Sequence, residues 1–324
     1  MPPVALVTGA TSGIGLALVQ HLLSLPTSNW HIILADINPP SPTLSLPTSR
    51  TLFTQTDVAS WSQQSHLFSR GFAWHSRLDF IALNAGIDDR DDIFNSISDI
   101  QDGKAADTPP RKPNLRTFEV NQNAVYYGIK LSAYYLTRPK PEPLVAEPGK
   151  LATNGRIVIT ASSAGLYPLP PVPQYTASKH ALVALTRSMA PSAAKVGITI
   201  NSVCPAMVVT NLAPAGLLDS YSESEMTPMS SMMRAFEELG ELEGFERGGR
   251  NGGWRDVGRA RNGCAVEVSL SELLYREPPL RKEGQRVSSA EDRGELWERV
   301  YRERNRGFAR RDWEGEGRGR GVKL

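Results

Sequence analysis

Short apolar runs alternate with longer stretches of helical periodicity through the first two thirds of the chain. Residues 4–7, 31–35 and 156–160 are mostly apolar runs that are too short for a helix and indicate strands. Residues 16–23 instead place apolar side chains at helical spacing. This alternation predicts an α/β fold in which helices cover both faces of a parallel sheet, and the sequence shows no internal repeat.

The pattern changes after about residue 240, where glycine, arginine and glutamate dominate. Within this region, residues 265–274 predict a last strand and a short helix, and residues 285–311 predict one exposed helix. The Arg/Gly-rich residues 315–321 are expected to be disordered. With 324 residues and 40% hydrophobic content, the chain can bury one core of about 250 residues. We expect a single domain over residues 1–275 and a charged, partly disordered extension over residues 276–324.

The formal net charge of +2 is too small to indicate a polyanionic partner for the whole chain. An arginine–glycine tail can bind RNA, so a binding module built on an enzyme fold is an alternative of another class. Acidic residues dilute the charge of this tail, however, and the last ten residues contain no aromatic side chain. The expectation is therefore that nucleic acid is not a partner.

Cys204 and Cys264 are the two cysteines, and their spacing is typical of neither a metal site nor a redox motif. Reduced, packed thiols favour a cytoplasmic location. The first predicted strand begins at residue 4, which leaves no room for a signal peptide, and no apolar run reaches the roughly 18 residues of a membrane span. The ending Val322-Lys323-Leu324 keeps a peroxisomal address as an alternative, although that signal needs a small residue in place of Val322.

A glycine-rich turn joins the first predicted strand to the first predicted helix, over Thr8-Gly9-Ala10-Thr11-Ser12-Gly13-Ile14-Gly15. Glycines allow backbone conformations that a Cβ forbids and let a pyrophosphate approach the main chain closely. The N-terminus of the following helix would then face the phosphates with free N–H groups. An ordinary strand-to-helix loop is the alternative, but the flanking strand and helix are those that a dinucleotide site requires.

Asp36 ends the second predicted strand, 21 residues after Gly15, close to the interval of about 20 expected for an acid that binds the adenosine ribose. Its carboxylate would repel a 2′-phosphate, and neither Ser12 nor Ile37 supplies a compensating positive charge. The sequence therefore predicts NAD rather than NADP. Alternatively, Asp36 opens the turn that follows it.

Tyr175 and Lys179 stand four residues apart, so on a helix they share one face. A nearby ammonium lowers the pKa of a phenol, which has an ordinary value of about 10, and lets it accept a proton from an alcohol. The same spacing also occurs where a surface tyrosine packs on a lysine stem. Ser162, thirteen residues before the tyrosine, makes hydride-transfer chemistry the better interpretation.

Several motifs together resemble the short-chain dehydrogenase/reductase family: the glycine turn, Asn84-Ala85-Gly86, Asn121, Ser162, Tyr175-x-x-x-Lys179, and Pro205 to Thr210. The resemblance covers residues 4–213 closely and implies a Rossmann-type, doubly wound fold. Pro205-Ala206 stands where the family usually has Pro-Gly, which removes no catalytic group. Residues 88–116 and 138–154 form longer connections than usual and are expected to be surface insertions.

The resemblance implies that Tyr175 is the general acid/base and that Ser162 hydrogen-bonds the substrate oxygen. Lys179 would lower the phenol pKa and bind the nicotinamide ribose, Asn121 would hold a water that links Lys179 to solvent, and Asp57 would meet the adenine. Other implied cofactor contacts are Gly9, Thr11, Ser12, Gly13, Ile14, Gly15, Val58, Asn84, Ala85, Gly86, Pro205, Val208 and Thr210, with Thr210 touching the nicotinamide carboxamide.

Two segments are expected to shape the substrate site: a stiff, Pro-rich wall over residues 166–173, and a lid over residues 212–240 that is rich in methionine and other apolar residues. The lid residues could instead pack on the core or on another subunit. Within the family, the chain resembles NAD-dependent hydroxyprostaglandin dehydrogenase-like members, which implies a hydrophobic secondary alcohol or ketone and a homodimer or homotetramer. A non-redox dehydratase or cyclase and an NADP-dependent carbonyl reductase remain alternatives.

Overall fold

The computed structural model describes residues 1–26, 28–91, 93–94, 111–140, 154–214, 216–242, 261–279, 300–301 and 303–304. Within these residues the chain forms an eight-stranded sheet in the order β3-β2-β1-β4-β5-β6-β7-β8. The strands are β1 (Val4–Thr8), β2 (His31–Asp36), β3 (Thr51–Gln55), β4 (Phe80–Leu83), β5 (Gly155–Thr160), β6 (Ile198–Pro205), β7 (Ala265–Ser269) and β8 (Glu272–Tyr275).

Every neighbouring pair from β3 through β7 is parallel, and β8 alone of these eight strands pairs antiparallel, with β7. The strand order reverses direction between β1 and β4, and a ligand in such a sheet lies beyond the carboxyl ends of the strands at that switch point. The architecture is the predicted Rossmann-type sheet.

The main helices among the described residues are α1 (Gly13–Ser24), α2 (Trp61–His75), α3 (Ala124–Leu136), α4 (Pro173–Ala194) and α5 (Met229–Gly240). Alternate residues of a strand point to opposite faces, and β1 shows this clearly. Leu6 packs with residues of α2, α3 and α4, whereas Ala5 and Val7 pack with residues of α1 and α5. Helices therefore cover both faces of the sheet, as the alternating pattern predicts.

The apolar residues of α5 pack in the core: Met232, Met233 and Phe236 are buried together with Val19 and Leu22 of α1. The part of the predicted lid that is helical is thus packed on the sheet, as the alternative interpretation holds. Residues 212–228 instead contain short helical turns, at Leu218–Ser220 and Glu223–Glu225. Leu217 and Tyr221 there are partly exposed, so this half of the segment remains the candidate lid.

The prediction of a short helix after β7 is wrong. The chain turns at Leu270, where φ is 51°, and returns as the antiparallel strand β8. The run that suggested a helix, residues 270–274, is too short to distinguish the two structures by periodicity. Pairing with β7 supplies backbone hydrogen bonds that an isolated short helix would lack.

The chain divides into two compact units, Met1–Glu277 and Pro278–Leu324. Most of the predicted helix at residues 285–311, all of residues 315–321, and much of the two predicted insertions lie outside the described residues. Among the helices that are described, none is both long and apolar enough to cross a membrane.

Candidate active site

The glycine turn lies against the carboxyl ends of β1, β4 and β6. Gly9 and Gly13 adopt positive φ values of 65° and 51°. A Cβ at Gly15 would lie 2.0 Å from the carbonyl oxygen of Gly9, and one at Gly13 would lie 3.3 Å from Thr210. Side chains larger than that of glycine would therefore fill the turn. With glycine at these positions, the backbone at the start of α1 stays accessible to a diphosphate.

Thr8 organises the neighbouring loop after β4. Its Oγ1 accepts hydrogen bonds from the N–H groups of Asn84 (2.9 Å) and Ala85 (3.1 Å). The carboxamide of Asn84 donates to the Thr8 carbonyl (3.1 Å) and accepts from the Thr160 hydroxyl (3.0 Å). Asn84 thus joins β1, β4 and β5 at this edge of the sheet. Its carboxamide makes its hydrogen bonds to other residues of the protein.

Asp36 lies at the end of β2, beside the glycine turn. Its Oδ2 accepts from the N–H of Thr11 (3.1 Å), and its Oδ1 accepts from the N–H of Asn38 (3.1 Å). The carboxylate is only partly buried. Asp36 therefore both fixes the glycine turn and stays at the surface where an adenosine ribose would lie.

Asp57 makes two contacts with the protein: its Oδ1 accepts from the N–H of Ala59 (2.9 Å), and its Oδ2 pairs with Arg116 (2.7 Å). The hydrogen bonds that Arg116 donates to Asp57 and Glu119 raise the pKa of Arg116, with the bond to Asp57 as the main cause. The neighbouring Val58 is buried. An adenine at this position would meet the Asp57–Arg116 pair rather than an isolated carboxylate.

Ser162 lies near enough to Tyr175 for its hydroxyl to lower the pKa of the phenol. Ser162 follows β5, and its Oγ accepts from the N–H of Ala164 (3.1 Å), a bond that does not use the hydroxyl proton. Tyr175 is in the first turn of α4. The predicted pair thus comes together at the end of β5.

Lys179, one turn after Tyr175, is buried and directs its Nζ to the carbonyl oxygen of Thr160 (2.9 Å). Its Nζ lies 5.4 Å from the centroid of the Tyr175 ring. A Cβ added at Gly86 would lie 3.4 Å from this Nζ and 3.3 Å from Oδ1 of Asn121. The loop that contains Gly86 therefore lies directly beside both side chains.

Asn121 lies in a π-helical segment, Glu119–Asn123, that precedes α3. Its side chain brackets Ile87, since Oδ1 accepts from the Ile87 N–H and Nδ2 donates to the Ile87 carbonyl, each at 2.8 Å. Nδ2 also donates to Oγ of Ser178 (3.1 Å). Widened turns of this kind are frequent at functional sites, and here the turn directs Asn121 toward the loop beside Lys179.

Burial raises the pKa of Tyr175, and the hydrogen bond from Ser162 offsets part of this rise, while the charge of Asp88 adds to it. Burial also lowers the pKa of Lys179 to about 8. That Lys179 lowers the phenol pKa stays a prediction. Desolvation dominates for both groups, and the ammonium is held by Thr160.

The remaining expected cofactor contacts cluster after β6. Pro205 is its last residue, Val208 is buried, and Thr210 lies against the glycine turn, where its Oγ1 accepts from the N–H of Leu212 (3.3 Å). We call these residues, together with Thr11, Ser12 and Ile14 at the opening of α1, the cradle. The donor set and the tight glycine contacts fit a dinucleotide.

Three residues that contribute to this arrangement were not predicted in these roles. The Thr160 carbonyl holds Lys179, Arg116 pairs with Asp57, and Asp89 contacts the start of α4. No local motif marks them, because each acts on a residue far away in the sequence. Within the described part of the chain, no cluster of three or more His, Cys, Asp or Glu residues could hold a metal ion.

Comparison with known proteins agrees with this geometry. The short chain dehydrogenase family model matches residues 3–216. The short-chain dehydrogenase/reductase prx7 of Penicillium rubens is 30% identical over 81% of this chain and 90% of its own length. The rat (Rattus norvegicus) 15-hydroxyprostaglandin dehydrogenase [NAD(+)] is 29% identical over 64% of this chain and 68% of its own length.

Among solved structures, a short-chain type dehydrogenase/reductase from Mycobacterium marinum superposes with a TM-score of 0.56 at 23% identity, covering 74% of this chain and 88% of that one. This likeness supports the fold. The family model spans the glycine turn, Asn121, Ser162, Tyr175 and Lys179. The chain therefore belongs to the short-chain dehydrogenase/reductase family.

Proposed function

We propose that the protein is an NAD-dependent oxidoreductase that interconverts a secondary alcohol and a ketone on a hydrophobic small molecule. The observation that carries the proposal is the convergence of Ser162, Tyr175, Lys179 and Asn121 beside the glycine turn. A nicotinamide bound in this cradle would supply the hydride acceptor or donor.

In alcohol oxidation, the hydroxyl proton of the substrate passes to the phenol oxygen of Tyr175, which must be ionised to accept it. The Ser162 hydroxyl donates a hydrogen bond to the substrate oxygen and so orients that oxygen beside the phenol of Tyr175. In the reverse direction the neutral phenol donates its proton to the carbonyl oxygen. The same residues thus serve both directions.

Lys179, with a pKa of about 8, can hold or release a proton near neutral pH. It lies beside Gly86, whose loop also contacts Asn121. We propose that Lys179 binds the nicotinamide ribose from this position and that its positive charge favours the ionised phenol.

Preference for NAD rests on Asp36, whose carboxylate would face the adenosine ribose. A 2′-phosphate there would meet a negative charge that two backbone N–H groups, from Thr11 and Asn38, already hold in place. The name of the NAD(+)-linked rat relative supports the same preference. An NADP-dependent reductase is disfavoured by this one residue.

A hydrophobic substrate is supported by the apolar side chains that the two flanking segments leave exposed: Tyr167, Leu169, Leu212, Leu217 and Tyr221. Tyr167 is also anchored, because its hydroxyl donates to the carboxylate of Glu267 on β7 (3.0 Å). The Pro-rich segment 166–173 is therefore anchored through Tyr167 and also exposes apolar side chains such as Leu169.

We further propose that residues 1–275 form the catalytic domain with the lid in residues 212–228, and that the protein acts in the cytoplasm as a homodimer or homotetramer. The unpaired thiols of Cys204 and Cys264 favour a reducing compartment. Size-exclusion chromatography with light scattering tests the assembly.

The first test is turnover measured at the NADH absorbance band, with NAD and NADP compared over a panel of hydrophobic secondary alcohols that includes hydroxy fatty acids and steroids. NAD-dependent turnover that Tyr175→Phe eliminates supports the proposal. Turnover that prefers NADP favours the carbonyl reductase alternative. Binding of NAD by calorimetry without turnover of any alcohol or ketone in the panel favours the non-redox alternative, and failure to bind NAD contradicts the cofactor assignment.

A further inference from the structure

The N-terminus of α4, which carries Tyr175, lacks a cap of its own. Its N-cap residue is Val172, whose side chain makes no capping hydrogen bond, and the first helical residue, Pro173, has no N–H. The next two N–H groups, of Gln174 and Tyr175, precede the first intrahelical bond, which Thr176 makes to the Val172 carbonyl (2.9 Å). Buried N–H groups at such a position need an acceptor from elsewhere.

Asp89 supplies that acceptor from a site 85 residues earlier in the chain. Its Oδ2 accepts from the N–H of Gln174 (3.0 Å), and its Oδ1 accepts from the N–H of Tyr175 in a short bond. Both carboxylate oxygens are thus used on two successive N–H groups. A carboxylate at this position also interacts favourably with the positive end of the helix dipole.

The loop that carries Asp89 is held along its length. Asn121 binds both backbone groups of Ile87, and the hydroxyl of Thr117 donates to the carbonyl oxygen of Asp88 (2.9 Å). The loop begins at Asn84-Ala85-Gly86, beside the glycine turn. Asp89 therefore joins the edge that would hold the cofactor to the residue that would transfer the proton.

We infer that Asp89 is a positioning residue for Tyr175: it fixes the first turn of α4 from the loop after β4 and so sets the phenol against Ser162 and the cofactor edge. This inference rests on the proposed function for its effect on turnover. Its structural part, the capping of Gln174 and Tyr175, can be measured without turnover.

The experiment compares wild type with Asp89→Ala, Asp89→Asn and a control, Asp91→Ala. The control removes the carboxylate of Asp91, which belongs to the same loop. That carboxylate accepts from the N–H of Asn114 (2.6 Å) and pairs with Arg111, and so makes no bond to α4 in these contacts. Hydrogen exchange is followed at the amides of Gln174 and Tyr175, NAD binding by calorimetry, and kcat with the alcohol found in the first screen.

Asp89→Ala should speed exchange at both amides and lower kcat by about tenfold or more, since small displacements of a reacting group cost rate steeply. The Kd for NAD should change by less than about twofold, as expected for a residue that acts through Tyr175. Asp89→Asn keeps one acceptor oxygen and should recover most of kcat. Asp91→Ala should leave exchange at Gln174 and Tyr175 unchanged.

A second variant tests the cause directly. Val172→Ser places an acceptor at the N-cap itself, so in the Asp89→Ala background it should restore amide protection and part of kcat. It also provides a folded protein for the comparison where Asp89→Ala alone is unstable.

Unchanged exchange at Gln174 and Tyr175 in Asp89→Ala would overturn the inference, as would an equal loss of kcat in Asp91→Ala. A parallel loss of NAD binding and kcat in Asp89→Ala would also overturn it, because that result indicates collapse of the loop. Where wild type shows no turnover, the proposed function fails, and hydrogen exchange alone still decides whether Asp89 caps α4.

Discussion

The ammonium of Lys179 donates to the backbone carbonyl of Thr160 at 2.9 Å, and no carboxylate among the described residues hydrogen-bonds to this buried lysine. A carbonyl dipole compensates a buried charge less than a carboxylate would, and burial accordingly lowers the pKa of Lys179 to about 8. The site thus contains a lysine whose charged form is destabilised by the fold around it.

Replacing this lysine should therefore stabilise the protein while it impairs turnover. The gap between the ordinary pKa of 10.5 and about 8 corresponds to about 3 kcal/mol against the charged form. After the loss of the Thr160 hydrogen bond, Lys179→Met should raise the free energy of unfolding by about 1–2 kcal/mol at pH 7. Urea denaturation measures this change.

The sign of its pH dependence follows from the lowered pKa. Between pH 8 and 10.5 the unfolded chain binds more protons at Lys179 than the folded chain does, so wild type gains stability as pH rises through this window. The advantage of Lys179→Met should be largest below pH 8 and shrink toward pH 10.5. Lys130→Met, an exposed position on α3, serves as the control and should show no such trend. A constant advantage across this window would contradict the assignment.

Tyr175→Phe should lower kcat by at least about a hundredfold, because the phenol oxygen is the proposed proton acceptor. The ring packs as before, so the free energy of unfolding should change little, and NAD binding should persist. Steady-state kinetics and calorimetry check the two statements. Ser163→Ala is the matched control, since Ser163 neighbours Ser162 but was not assigned to the site. Retained turnover in Tyr175→Phe would exclude its acid/base role.

Asp36→Ala should raise KM for NAD about tenfold or more and affect NADP less, because the carboxylate favours ribose hydroxyls and repels a 2′-phosphate. The variant also removes the acceptor of the Thr11 N–H, so some loss with both cofactors is expected. The ratio of kcat/KM for the two cofactors is therefore the decisive measurement. An unchanged ratio would mean that Asp36 only accepts backbone hydrogen bonds from Thr11 and Asn38 and does not select between the two cofactors.

Gly15→Ala should abolish NAD binding or destabilise the domain by about 1–3 kcal/mol, because its Cβ would lie 2.0 Å from the backbone oxygen of Gly9. Neither partner can move without displacing β1 or α1. Gly216→Ala is the control: its φ of 80° is strained for alanine, but the Cβ would meet nothing within 4 Å. NAD affinity should survive in the control, and thermal unfolding with calorimetry distinguishes the variants.

The sheet, its parallel order and the meeting of Ser162, Tyr175 and Lys179 were predictable because hydrophobic periodicity and motif spacing report them locally. The capping of α4 by Asp89 was not, since the acceptor is 85 residues away and a valine at the cap carries no signal of its own. Spacing predicted that a lysine would lie near Tyr175, but it could not report the burial that raises the pKa of the phenol, because burial depends on the packed fold.

The π-helical turn at Glu119–Asn123 lets one continuous stretch of backbone do two things: place Asn121 against Ile87 and bury the apolar face of α3. Its closing bond runs from the Ala124 N–H to the Glu119 carbonyl, one residue wider than an α-helical turn. The segment before it can therefore direct Asn121 toward Ile87 while α3 keeps Val125 and Ile129 in the core. Deleting one residue would rotate these two sets by about 100° relative to each other, so either the amide or the core would lose its partner. The position of Asn121 relative to the core residues of α3 is thus set by a single extra residue.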